Sequence, residues 1–407
     1  MEEFDESRKL AQNYQNIAEL YVKISDCKRA KDFYLKVIDI SKLYRYFDLL
    51  SYSYQQISNC FQELDDYSAS KSILLDGIDY FTELYLEFDD KNDYLSLSQI
   101  SQVLKRLYKI IDDEEQYTNY SKREASAFIN LAEQIEKNQE NYHKIACYYR
   151  GAALCYQEIN NNLIESASCF VLAGNYIEKI EDYNEAAINF YNAAITFKEL
   201  DNLDMAYKNF VKAGDNYWKT NNVHDSTDCY MNAYDIAVEG DLEYDRFGLF
   251  NQIIRGLSII AKEGLKNKQF FTAATLILES IKFYQQLDSH KDFLLNEMIK
   301  NVHKYYYKAA NLKNVGRSHI VQSYVLAAIS SVLNGKIEKA EEILEELEPN
   351  GHTVNKYKEL VEIIINRISE GKAVTLENLP YNIQRIVENS EEITYLLKLF
   401  KGYKLVA

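Results

Sequence analysis

Through the middle of this chain an aromatic residue returns every 20 positions, each time with a small residue three places later. Tyr149, Phe170, Phe190, Phe210 and Tyr230 lie 21, 20, 20 and 20 residues apart, and Ala152, Ala173, Ala193, Ala213 and Ala233 follow them. The register extends outward as Phe128 with Leu131, Phe250 with Ile253 and Phe271 with Ala274. A fixed period of this length marks a repeat architecture. Within a unit, small and aromatic residues alternate at i, i+3, i+6/i+7 and i+10, as in Ala187, Phe190, Ala193-Ala194 and Phe197. That spacing is one face of an α-helix.

Short polar stretches separate the faces: Asn160-Asn161-Asn162, Glu181-Asp182, Asp201-Asn202 and Asn221-Asn222. Each reads as the end of one helix followed by the N-cap of the next, because Asn and Asp side chains accept the unpaired N–H groups of a first turn. Asn162 with Glu165, Asp182 with Glu185 and Ser121 with Glu124 have capping-box spacing. A unit is thus about 16 helical residues plus a loop of about four, and two units make an antiparallel hairpin of about 40 residues. Such hairpins contact their neighbours and stack into a solenoid. The tetratricopeptide period is about 34 residues, so this hairpin is a longer-armed, TPR-like unit. Gly151, Gly174 and Gly214 fall inside the helices beside alanines, where small residues let backbones approach and rings fill the space between.

Composition agrees. Of 407 residues only 2 are proline and 13 glycine, against averages of about 5% and 7%, so β-sandwiches, barrels and propellers are excluded. With 47% apolar residues, 35 tyrosines and 18 phenylalanines the chain builds a large core. The fold class is all-α. Residues 1–120 read as N-terminal hairpins of less regular spacing, 121–288 as the regular repeat, and 289–407 as a C-terminal helical bundle. In that last part helices are expected at about 291–313, 316–334, 336–348, 352–370, 375–388 and 390–402, interrupted at Pro349-Asn350-Gly351 and Leu379-Pro380.

Net charge is −16, which speaks against nucleic acid as a general partner. The charge is uneven: residues 246–317 carry 12 basic and 5 acidic side chains, a +7 block in an acidic chain. Within it Lys300, Lys304 and Lys308 recur at i, i+4 and i+8, and Lys262 with Lys266 repeat the spacing. Like charges so placed repel, and either a counter-charged partner or a solvated, salt-screened face explains them.

The block SASCFVLAGNYIEKIEDYNEAAINFYNAAITF (Ser166 to Phe197) resembles the soluble NSF attachment proteins, the SNAP adaptors of membrane-fusion complex recycling. So does VLNGKIEKAEEILEEL (Val332 to Leu347), followed by YKELVEIIINRISEGKAVTLE (Tyr357 to Glu377). The likeness spans about residues 120–407. It implies an adaptor that binds acidic helical or coiled-coil complexes, through Lys262, Lys266, Lys300, Lys304 and Lys308 on this reading, and recruits an AAA ATPase. In the family, leucines near the C-terminus contact that ATPase; here Leu396, Leu397, Leu399 and Phe400 stand in that place, alongside core as their other role. Lys398, Lys401 and Lys404 surround them and the chain ends Leu405-Val406-Ala407, so the family's acidic tail is missing. Phe47, Leu49 and Leu50 are the compositional candidates for its membrane-touching loop, with core again the alternative. The second functional reading is a general protein–protein scaffold with a peptide-binding groove.

Catalytic signatures are missing. The histidines (His143, His224, His290, His303, His319, His352) show no metal-ligand spacing, no phosphate-cradling or dinucleotide loop occurs, and no GxSxG elbow is found. The six cysteines, Cys27, Cys60, Cys147, Cys155, Cys169 and Cys229, have no CxxC pair and are expected to act as small buried hydrophobes. Neither an h-region follows MEEFDESRKL nor does any run of 18 apolar residues occur. The expectation is a non-enzymatic, cofactor-free, cytoplasmic protein, able to sit peripherally at membranes, with protein partners and no small-molecule substrate.

Overall fold

The computed structural model describes residues 2–159, 162–241, 246–285, 292–312, 316–347 and 352–402. Asn160-Asn161, Pro349-Asn350-Gly351 and Leu405-Val406-Ala407 lie outside the described residues, as do the side chains of His290, His352, Lys401 and Lys404. The regular structure among the described residues is helical throughout, and the chain divides into two compact units, 1–216 and 217–407.

The first unit contains α1 (Glu2–Lys23), α2 (Cys27–Tyr44), α3 (Phe47–Glu63), α4 (Tyr67–Asp90), α5 (Tyr94–Ile110), α6 (Glu114–Gln134), α7 (Tyr142–Gln157), α8 (Leu163–Glu178) and α9 (Tyr183–Glu199), and the division falls within α10 (Leu203–Lys219). From α1 to α9 each helix packs on the next, and α3 also touches α1 and α5. This is the α-solenoid arrangement of antiparallel hairpins. The second unit continues through α11 (Val223–Glu239), α12 (Arg246–Lys266), α13 (Phe270–Tyr284), α14 (Asp292–Ala310), α15 (Arg317–Leu333) and α16 (Ile337–Glu346), each again packed on the next. It ends in α17 (His352–Ser369), a 3-10 turn (Leu376–Asn378), α18 (Tyr381–Glu388) and α19 (Glu391–Gly402). The expected helix over 375–388 is shorter than that. Pro380 fits only a helix start, so the helix begins after it.

The connections explain how the chain turns with so little glycine. Ser25, Arg45, Asp65, Asn92, Asp112, Glu181, Asp201, Asn221, Asp241 and Lys268 all take the left-handed conformation, with φ between 45° and 63°. After each of these but Asp241, the next residue directly precedes the first residue of the following helix. Asp26, Asp66, Asp93, Asp113 and Asp182 accept from the backbone N–H three positions on, at 2.9 to 3.2 Å, and Asn202 does the same to Met205. The 20-residue register therefore reaches into the N-terminal region, at 25, 45 and 65 and again at 92 and 112, where the 24-residue α4 interrupts it. Ser121 is no cap: α6 begins at Glu114, and the Ser121 hydroxyl donates to Tyr117 O at 2.9 Å inside the helix. Asn162 sits at the N-cap of α8 without a side-chain bond.

Packing follows the aromatic–small pattern. A Cβ placed on Gly174 would lie 2.9 Å from the Phe190 ring, one on Gly151 3.2 Å from Phe128, and one on Gly77 3.0 Å from Tyr54. In each case a ring from an adjoining helix occupies the space a side chain would need. One continuous hydrophobic core runs from Ala274 on α13 to Leu399 on α19. At its centre is α15, buried continuously from Val325 to Leu333, because α14, α16, α17 and α19 all pack on it. No helix among the described residues is long and apolar enough to cross a membrane.

Candidate interaction surfaces

All five lysines singled out in the sequence are exposed. On α14 the Lys300 ammonium lies 3.1 Å from Glu297 of the same helix. Lys304 lies over the Tyr305 ring at 5.7 Å, and Lys308 over Phe270 and Tyr305 at 5.4 and 5.9 Å. Tyr306, on the opposite face, is buried. Lys304 and Lys308, with Lys262 and Lys266 of α12, make no ion pair among the described residues. The helices carrying the two groups each pack on α13.

Leu396, Leu397 and Leu399 are 0%, 5% and 2% exposed, and Phe400 packs against the same bundle core. Their helix turns its apolar stripe inward, which is where an amphipathic helix packed on α15 must place it, so these leucines are not presented at a surface. Leu49 and Leu50 are likewise core, and Phe47 packs edge-on against Phe81 and Phe88, so this segment offers no apolar loop for a bilayer.

Ionisable groups inside the repeats are mostly internal supports. Lys105 lies 2.8 Å from Glu124 and 2.7 Å from Glu158, and Tyr117 donates to the same Glu158 oxygen at 3.3 Å. Burial alone would lower the Lys105 pKa, but hydrogen bonds to Glu124 and Glu158 outweigh it and hold the ammonium charged. Cys27, Cys60, Cys155, Cys169 and Cys229 are buried, and burial pushes the Cys169 thiol up to about 11 and that of Cys229 to about 12, which suppresses thiolate chemistry. Cys147 is half-buried, 3.7 Å from His143 Nδ1. His303 Nδ1 lies 2.8 Å from Ser331 Oγ and 3.1 Å from Ala327 O, and burial lowers its pKa. Among the described residues no group of three or more His, Cys, Asp or Glu could hold a metal ion.

The first unit carries a groove that composition did not reveal. A cavity of about 590 Å³ opens between α1, α3 and α5, the leading helices of three successive hairpins. From α3 come Phe47, Ser51 and Gln55, at i, i+4 and i+8, with Tyr52 beside them; from α5 come Gln99, Gln102, Val103 and Arg106, at i, i+3, i+4 and i+7. Each set is one helix face. Arg8 pairs with Asp48 at 2.5 Å and lies over buried Tyr46, whereas Arg45 pairs with Glu87 at 3.0 Å. Arg106, Gln55, Gln99 and Gln102 are exposed and bond to nothing among the described residues. The polar residues Gln99, Gln102 and Arg106 on α5, at i, i+3 and i+7, were a visible signal. What made it uninformative is that polar stripes normally face water.

No family model matches this sequence, and no curated protein does either. Solved structures with a similar course include the TPR domain of P58(IPK), at 11% identity over 88% of this chain and 99% of that one, with a TM-score of 0.23. Yeast Tom70 is 12% identical over 94% of this chain and 100% of that one, with a TM-score of 0.21. A STAND signal-transduction ATPase with a tetratricopeptide repeat sensor from Pyrococcus horikoshii is 13% identical over 88% of this chain and 54% of that one, at 0.23.

Proposed function

We propose that this chain is a non-catalytic scaffold that binds protein partners through the faces of its helical hairpins. The observation that carries the reading is the groove of α1, α3 and α5, where exposed, unpartnered polar side chains from separate hairpins line one cavity above aromatic residues. Stacked hairpins present such rows on rigid elements, which limits the entropy lost when a partner docks. The test is photo-crosslinking in native lysate, with a benzophenone amino acid at Gln55 or Gln102 and, as reference, at exposed Leu172 on α8. Adducts formed from the groove positions and not from Leu172 are expected; equal labelling, or none from the groove, refutes the scaffold reading.

A second reading, the SNAP-like adaptor in vesicle-mediated transport, is favoured by the exposed lysines of α12 and α14 in a chain of net charge −16. On it, acidic helical or coiled-coil complexes dock there in a salt-sensitive way, in the cytoplasm or at a membrane surface, and an AAA ATPase is recruited by a surface other than Leu396 to Phe400. Replacing Lys300, Lys304 and Lys308 with Glu should abolish binding to an acidic coiled-coil bundle at low salt. Unchanged affinity sinks this reading and leaves the scaffold proposal standing.

A further inference from the structure

We infer that the groove of α1, α3 and α5 takes an extended, acidic segment of a partner protein, its backbone held by Gln55, Gln99 and Gln102 and one of its carboxylates by Arg106. The inference rests on the scaffold reading and names the occupant.

Three primary amides define the conformation of the ligand. Each offers two N–H donors and a carbonyl acceptor, the same complement a peptide unit needs. In a helix the backbone has already satisfied its own donors and acceptors, whereas an extended segment has both to spare. Unpartnered amides on two neighbouring helices therefore favour an extended chain over a helical one. Half-buried Phe47 and Tyr52, with buried Val103, give it an apolar floor for alternate side chains. Tyr52 is fixed by donating to Glu19 at 3.1 Å and by its edge contact with Tyr34 at 6.2 Å, so that floor is preorganised.

Charge defines the composition. Residues 1–120 hold 14 basic and 23 acidic side chains, yet the groove is lined by Arg8, Arg45 and Arg106 against Asp48 alone. Arg8 and Arg45 are engaged by Asp48 and Glu87. Only Arg106 among the three presents an unused guanidinium fork, which suits a carboxylate. A polyphosphate is disfavoured, since such affinity is built from many phosphate contacts and the surrounding segment is acidic.

The experiment is fluorescence anisotropy on the full chain with labelled peptides of about ten residues, roughly 33 Å long when extended. One repeats Glu-Val-Thr, the second replaces Glu with Gln, and the third replaces Glu with Lys; an oligothymidine of similar length is the phosphate probe. The Glu peptide is expected to bind, more weakly as salt rises, and the other three to bind at least about tenfold less tightly. Arg106→Gln should weaken the Glu peptide about tenfold, the size expected for one charge-assisted hydrogen bond, and Arg106→Lys should restore part of it. Gln55→Ala with Gln102→Ala should weaken the Glu and Gln peptides alike. Circular dichroism melts matching the parent establish that these surface variants are folded.

Equal binding of the Gln or Lys peptide, tighter binding of the oligothymidine, no binding of any probe, or indifference to Arg106→Gln would each overturn the inference. Its failure is distinguishable from that of the scaffold reading, because crosslinks from Gln55 with no preference for acidic peptides keep the scaffold and remove only this occupant.

Discussion

Two glycines of α12, Gly256 and Gly264, should respond to alanine with opposite signs. Both are buried in the same helix, so each substitution gains about 1 kcal/mol of intrinsic helix propensity. At Gly264 the nearest atom to a new Cβ is Ala273 Cβ at 3.6 Å, an ordinary contact, and Gly264→Ala should stabilise by about that amount. At Gly256 the new Cβ would collide with Thr227 Oγ1 and lie 3.1 Å from its Cβ and 3.2 Å from its Cγ2. Thr227 is buried on α11 and its hydroxyl donates to Val223 O at 2.7 Å. Clearing the collision means rotating Thr227 and giving up that bond, or parting the two helices. Overpacking costs about 1–3 kcal/mol and an unsatisfied buried hydroxyl about 1–2 more, so after the propensity gain Gly256→Ala should lose about 2 kcal/mol. Combining it with Thr227→Ala removes Oγ1 and Cγ2, and should recover at least about 1 kcal/mol relative to additivity. The assay is urea unfolding followed by the fluorescence of Trp218, the single tryptophan, whose ring lies 4.6 Å from the guanidinium carbon of Arg255. If Gly256→Ala proves as stable as Gly264→Ala, the close approach of α11 and α12 is not what selects glycine, and the reasoning fails.

Two further outcomes follow from local geometry. Glu181, exposed and left-handed at φ 63°, carries a conformational cost that glycine does not; Glu181→Gly should gain about 0.5–1 kcal/mol in urea melts after its larger unfolded-state entropy is counted, and Glu181→Val should be destabilised. Burial lowers the His303 pKa in the folded state, so the neutral ring is the form the fold favours. Its contribution is present above the unfolded value of about 6.5 and is lost as pH falls through the depressed folded value, with a slope of at most about 1.4 kcal/mol per pH unit. His303→Gln should flatten the stability profile below about pH 6.5, and a parallel profile would contradict the assignment.

What the sequence determined by itself is local in origin. Helix type follows from the spacing of residues such as Ala187, Phe190 and Phe197, and the turns follow from a polar residue in the left-handed region before an Asp or Asn cap. Both depend on neighbours within a few positions. The same chemistry was present at Asp26, Asp66, Asp93 and Asp113, but the long α4 shifts the phase there and hid the period from an aromatic-based reading. Ser121 misled because a capping box is a spacing, and only the true helix start at Glu114 shows that this one lies inside a helix.

Tertiary structure decided which faces remain available. Leu396, Leu397 and Leu399 could equally have faced solvent or the bundle; α15 lying against their helix settles it, because burying the stripe removes apolar area from water. The five lysines kept their exposure, while Lys105 on α5 was drawn between Glu124 and Glu158. Nothing in the composition separates that lysine from Arg106, its neighbour in sequence. One residue of offset turns a helical side chain by about 100°, so Lys105 enters the interior and Arg106 the groove, and the difference arises only once α3 and α6 have packed on either side of α5.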